Sequence, residues 1–406
     1  MAALGALASV VVVACGSTAP GSECAPGADA GPRDGGPRDA GSRDASPRDA
    51  TRDGATRDGV ARDGSARDAS PCDGAARDGA LCARDGAARD GAADGEATLR
   101  PRGRRSAAHG APTGRDEARL AQVLATAALV AAERGHGGRS LSFRVLLDGG
   151  ASAYFKPEQS FSGMHWYAEI AAYHLDRALG LGRAPVVVGR RIPWSALAGA
   201  AGDDPRVPEI VVGEDGTVRG AMVEWIDERL VPLRAPPGLE RWLGEAIPGI
   251  TPFQSPRAWH EARERERRGV LDAGAPPEPP PPDTDDRPAE LSDLVVFDFL
   301  VHNADRWSES STNVRTRGPG GPLVFLDQAA GFSARRARLT LLDERLAAVQ
   351  RFRRTTVDAV RALDADPLAP ILDEVQLAHL AERREALLAH VDALVAERGE
   401  SAVYVW

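Results

Sequence analysis

The chain has four cysteines in 406 residues, Cys15, Cys24, Cys72 and Cys82, and the remainder beyond position 82 has none. Disulfides, cysteine nucleophiles and cysteine-ligated zinc are therefore excluded from the C-terminal three quarters. Aromatic residues are missing from the opposite end: all 9 Phe, 7 Trp and 4 Tyr lie from Phe143 onward. A stretch of Ala, Gly, Asp, Arg and Pro without aromatics buries too little apolar area to offset chain entropy. The folded part is thus expected to begin near residue 115. Lysine is almost absent too. Lys156 is the only one, where 50 positions are Lys or Arg. In a chain that uses arginine for generic cations, a retained lysine points to a site needing a compact, flexible ammonium. The eight histidines show no His-x-His or HExxH spacing, and His165 and His174 read as packing residues. With a net charge of −9 and no basic stripe interleaved with aromatics, nucleic acid is excluded as a partner. The short cluster Arg100 to Arg105 reads as a solvated linker end.

The longest apolar run, residues 2–14, suits a signal-peptide core better than a membrane span. Val12-Val13-Ala14-Cys15 resembles a bacterial lipobox, although the usual basic region before the apolar run is missing. Residues 1–15 are expected to direct export, leaving an extracytoplasmic protein held to the membrane by a lipid on Cys15. Without that signal the protein would be cytoplasmic. Residues 16–115 carry Arg-Asp dipeptides recurring mostly every five residues, with locally balanced charge and no apolar face. They read as a flexible stalk without chemistry of its own.

Beyond the stalk, residues 116–134 have the pattern of an amphipathic helix with acidic residues first. Two apolar runs flank Asp148-Gly149-Gly150, a hairpin signal, and Lys156 falls at the end of the second run. A helix is expected over 164–180, closed by Gly180, and then buried strands at APVVVGRRI and VRGAMVEWI. The charged, proline-rich residues 251–290 read as a surface insert. A buried helix over 291–302, a strand at 323–327 and helices over the last ~65 residues complete an α+β pattern in two lobes. The small β-rich lobe covers about 116–226 and the helical lobe about 227–406. No coiled coil or repeat is visible there, so a monomer is expected.

Chemistry concentrates in three pieces. Lys156 ends a strand and Glu169 follows on a helix, a pairing that in phosphoryl transfer grips nucleotide phosphates. His302-Asn303-Ala304-Asp305-Arg306 follows an apolar helix, where Asp305 can accept the proton of a substrate hydroxyl. Asp327 leaves the strand LVFL into a glycine-containing turn, a placement that suits Mg²⁺ or Mn²⁺ with their preference for hard oxygen ligands.

Those residues, with Ala168 to Arg177, Ala184 to Arg190 and Asp298 to Arg306, resemble the secretory-pathway kinases, a family that includes the Golgi casein kinase, the proteoglycan xylose kinase and four-jointed. The resemblance implies an atypical bilobal protein-kinase-like fold with ATP between the lobes and Mg²⁺ or Mn²⁺ as cofactor. It assigns phosphate contact to Lys156, support of Lys156 or the metal to Glu169, catalysis to Asp305 and metal binding to Asp327. Asn313 is a candidate second metal ligand, and Glu224 and Trp225 lie in a segment similar to the hinge that meets adenine. The acceptor would be a protein Ser/Thr or a sugar. The family's paired cysteines are absent, and Gln328-Ala329-Ala330-Gly331 stands where Asn-Gly is usual. An inactive kinase scaffold serving as a surface binding module is the alternative reading.

Overall fold

The computed structural model describes residues 114–406 apart from 137, 162, 247–248, 271–273, 276 and 308–312. Cys15, the Arg100 to Arg105 cluster and the stalk up to 113 fall outside the described residues. Among the described residues no helix is long and apolar enough to cross a membrane.

The chain enters through α1 (Gly114–Thr126), with Asp116 and Glu117 in its first turn, where the helix dipole favours them. The helix expected to reach 134 stops at Thr126. Residues Leu129–Arg134 instead form β1, paired antiparallel with β2 (Phe143–Leu147). Ala-rich sequence is compatible with a helix, but the free edge of β2 recruits it, and Arg190 donates to the carbonyls of Leu124 and Ala127 at 2.9 and 2.5 Å.

β2 turns into β3 (Ser152–Pro157) through Gly149 and Gly150, both at positive φ (84° and 87°), as the Asp-Gly-Gly signal requires. After α2 (Trp166–Ala178) come β4 (Val187–Pro193), α3 (Ser195–Ala201) and β5 (Thr217–Glu224). The five strands form one antiparallel sheet in the order β1-β2-β3-β5-β4. One face carries Phe143, Val145, Phe155 and Met222, all inaccessible to solvent, and packs with Leu124 of α1 and Leu197 of α3. The other face carries Tyr154, Lys156, Ala221 and Val223, because side chains alternate along each strand, and receives α2.

The remaining sequence builds the helical lobe around α6 (Arg287–Val301), in which only Pro288 escapes burial. A helix buried on every side, with its few charges paired, is a core helix. Against it lie α4 (Glu240–Leu243), α7 (Thr340–Ala347) and α9 (Glu374–Arg398), while α8 (Arg354–Arg361) and α10 (Glu400–Val403) pack on α9. The N-terminus of α9 is closed by a capping box between Asp373 and Gln376. A three-stranded antiparallel sheet, β6 (Leu230–Pro232), β7 (Val314–Arg317) and β8 (Leu323–Phe325), completes the lobe.

The reading of 251–290 as a surface insert needs correction. This segment holds α5 (Pro256–Arg267), whose Trp259 and Ala262 are buried with Ile250 and Leu341. Trp259 Nε1 donates to Glu344 at 2.6 Å. The segment also contains the first turn of α6 with its fully buried Arg287. Dense charge hid two apolar positions at helical spacing; Glu264 to Val270 and the proline-rich stretch from Pro280 to Asp283 are exposed, as the surface reading expected.

Candidate active site

The site begins with a row of small residues. Lys156 on β3 stands opposite Ala221 on β5, which stands opposite Gly189 on β4. A Cβ at Gly189 would meet Ile170 at 3.3 Å, so the row allows α2 to lie close on the sheet. That proximity brings Glu169, 2% exposed, to Lys156: Nζ to Oε1 is 2.5 Å. The same ammonium reaches Asp327 Oδ1 at 2.7 Å. Burial alone would lower the Lys156 pKa, but the charges of Asp327 and Glu169 outweigh it and the net shift is upward. Asp327 is held below its ordinary value, chiefly by the charge of Lys156.

The turn after Asp327 is docked on the start of α2. Glu169 Oε1 accepts the Gln328 N–H at 2.9 Å, and the His165 N–H donates to the Ala329 carbonyl at 2.6 Å. Gly331 is required at the end of this turn, since a Cβ there would sit 2.6 Å from Val301.

The end of α6 supplies the other side. Asn303 Nδ2 donates to the Asp327 carbonyl at 3.0 Å, and Asn303 Oδ1 accepts the Asp305 N–H at 3.1 Å. Arg306, wholly buried, pairs with Asp298 at 2.7 Å and also donates to Gln328 Oε1 at 2.6 Å and to the Leu326 carbonyl. The two segments are thus sewn together under the cleft. The Asp305 carboxyl is pushed up by burial first and by the negative charge of Asp327 second. Beside it opens a pocket of about 340 Å³, whose lining includes His302, Asp305, Ser333, Arg335 and Leu339.

Three non-glycine residues among those described have positive φ: His302 (66°), Asp327 (58°) and Phe332 (50°). All three lie in these two segments. Left-handed backbone is unfavourable for such residues and persists where surrounding structure enforces it, commonly at functional sites.

Lys156, Glu169 and Asp327 therefore meet directly, and Asn313 joins them with Nδ2 3.4 Å from Asp327 Oδ2. Glu224 and Trp225 do not join that network among the described residues. They end β5, where the Glu224 carboxylate accepts the Val186 N–H at 3.0 Å and the Trp225 N–H donates to Ser152 at 3.3 Å. Burial raises the Glu224 carboxyl. Trp225 is 37% exposed, with the Arg144 guanidinium 4.5 Å over its ring.

No cluster of three His, Cys, Asp or Glu side chains suited to a metal exists among the described residues. The Asp327 side chain is nevertheless 46% exposed. One exposed carboxylate, with the Asn313 amide beside it to turn its oxygen toward an ion, fits Mg²⁺ or Mn²⁺, which keep several positions for phosphate oxygens and water.

No protein-family profile matches the chain. It is similar to the glycosaminoglycan xylosylkinase of Danio rerio, 27% identical over 319 residues that cover 70% of this chain and 76% of that protein. Similarity to four-jointed box protein 1 of Mus musculus is 31% over 250 residues, covering 54% of this chain and 47% of the other. The fold matches the structure of hydra Fam20 with sugar, at TM-score 0.52 and 22% identity over 72% of this chain and 92% of that one. It also matches the Golgi casein kinase with Mn/ADP bound, at TM-score 0.51 and 17% identity over 72% and 79%. The chain thus resembles the atypical secretory-pathway kinases in sequence and in fold. Within this fold, cysteine-free in its described part, the Asp298–Arg306 pair and the Gln328 contacts brace the site. Asn303, Arg306 and Gln328 lie within the motifs around Asp305 and Asp327 but have no expected role from sequence alone. The polar residues flanking Asp305 and Asp327 were the available signal.

Proposed function

We propose that this chain is an ATP-dependent phosphotransferase that moves the γ-phosphate to a hydroxyl of a sugar or of a protein Ser/Thr. The observation that carries the reading is the Lys156–Glu169–Asp327 contact, with Asp305 held beside it on the Asn303 turn. Its similarity to a glycosaminoglycan xylosylkinase supports the same class of reaction.

In this proposal Lys156 holds the phosphates, and Glu169 fixes Lys156 from a position that solvent cannot reach. Asp327 with Asn313 would hold Mg²⁺ or Mn²⁺, which supplies positive charge against the phosphates when bound. The end of β5 at Glu224 and Trp225 is the place for adenine. Asp305 accepts the acceptor's hydroxyl proton as the oxygen attacks the γ-phosphorus and the bond to the ADP oxygen breaks. The pocket beside Asp305 gives the acceptor room.

Transfer of labelled phosphate from ATP to a xylose-bearing glycan and to Ser/Thr peptides, with wild type and Asp305→Asn, tests the reading. The variant is expected to lose about 10²- to 10⁴-fold in kcat. Transfer that survives Asp305→Asn intact would remove Asp305 from the mechanism. Export and the lipid on Cys15 belong to the same proposal. Cys15→Ala should release the protein from the membrane fraction, and unchanged fractionation would end the lipid assignment.

A further inference from the structure

Arg345, on α7, is 1% exposed and donates only to carbonyl oxygens: Pro252 at 2.7 Å, Gln254 at 3.0 Å and Ala304 at 3.2 Å. Among the described residues it forms no ion pair with a carboxylate. A buried guanidinium without a directly paired carboxylate is costly: burial pulls its pKa down to about 10, and the more distant charges of Asp298 and Asp305 offset only part of this. An apolar side chain would fill this space at less cost, so the position of the charge needs a reason.

The reason lies in the peptide it touches. The Ala304 carbonyl and the Asp305 N–H belong to one peptide plane. Arg345 holds its oxygen, and Asn303 Oδ1 holds its N–H at 3.1 Å. The plane directly before Asp305 is thus pinned from both sides. The other carbonyls, of Pro252 and Gln254, lead to Pro256, which lines the pocket beside Asp305. One planar, forked group therefore ties the wall of that pocket to the backbone of the proton acceptor, a task for which a point-like ammonium has the wrong shape. The adjacent Glu344 fastens α5 to α7 through Trp259 and Arg263 and makes no bond to the Ala304 peptide.

We propose that Arg345 is a positioning residue of the phosphotransfer site, fixing the Ala304–Asp305 peptide and the acceptor-side segment 252–256 in one geometry. This rests on the phosphotransferase reading. Displacement of a reacting group by about 1 Å can cost on the order of 10²-fold in rate. Lys156 and Asp327, which lie on the nucleotide side, are not touched by Arg345, so chemistry should suffer and nucleotide binding should not.

The test uses the full chain as wild type, Arg345→Lys, Arg345→Met and, as a control for the neighbouring latch, Glu344→Gln. Arg345→Lys should lower kcat about tenfold and Arg345→Met about a hundredfold, with the KM for ATP within about twofold of wild type. Hydrogen exchange should accelerate at the Asp305 amide in Arg345→Lys and remain unchanged in the five-stranded sheet. Glu344→Gln should leave kcat within about threefold, because it does not touch the Ala304 peptide. Unchanged kcat and exchange in Arg345→Lys would overturn the proposal, as would a loss of kcat matched by a rise in the KM for ATP. If the wild-type chain transfers no phosphate, the phosphotransferase reading falls, and exchange at Asp305 alone decides whether Arg345 fixes this peptide.

Discussion

At the residue scale, the two aspartates of the site are tuned in opposite directions. Asp327 sits against Lys156 and is held ionised; the stability this gives is present above the ordinary aspartate pKa and lost as pH falls through the lowered one. Asp305 is raised by burial and by Asp327, so its sign is reversed: its contribution is full at low pH and lost as pH rises through the raised value. At neutral pH the ionised Asp305 therefore costs stability. Asp305→Asn should melt no lower than wild type at pH 7, with the difference shrinking on acidification, while activity is lost. Thermal melts across pH 4 to 8 would check this, and a variant clearly less stable at pH 7 would contradict it. Lys156→Met should destabilise, because it strips Glu169 of its cation in a buried setting; breaking such a pair costs about 3 kcal/mol, measurable by urea unfolding. Lys156 was legible from composition, as the single lysine in an arginine-rich chain. Arg345 was not, since one arginine among many carries no mark and its partner Ala304 lies far away in sequence.

At the element scale, legibility followed from how much of each element's pattern is local. The hairpin, α2, α6 and β8 announce themselves through turn glycines or apolar runs, and each positions a site residue. The segment 129–134 was misread because its Ala-rich composition tolerates a helix, while pairing with β2, a tertiary effect, decides it. The charge-dense α5 was missed because two buried positions among many charged ones give a weak signal. The junction of α6 with β8 depends on the buried Asp298–Arg306 pair. Asp298→Ala should cost about 3–5 kcal/mol, because it leaves Arg306 buried with its charge unmatched. Asp298→Leu with Arg306→Met should regain part of that stability but little activity, since Arg306 also holds Leu326 and Gln328. Urea unfolding of the single and double variants measures the coupling, and additive losses would show that the pair does not act as a unit.

At the scale of the whole molecule, the sheet and the helical lobe meet where Lys156 and Glu169 contact Asp327 and Gln328. Two lobes joined at charged side chains, with strained backbone gathered at the join, form a place where a polyanion and a divalent ion can bind. The bilobal plan was readable from strands first and helices last. The contacts that fix the join were not, because they link residues more than 150 positions apart. Binding of ligand to the folded state raises stability by about 2.7 kcal/mol at a hundredfold excess over Kd. The most direct measurement is therefore the thermal shift of the full chain with ATP and Mg²⁺ or Mn²⁺, in wild type and Asp327→Ala. The account predicts a rise in Tm that needs both nucleotide and metal and disappears in Asp327→Ala. A folded wild-type protein that shows no shift with either metal, or a shift that Asp327→Ala retains, would contradict a nucleotide site built on Lys156, Glu169 and Asp327.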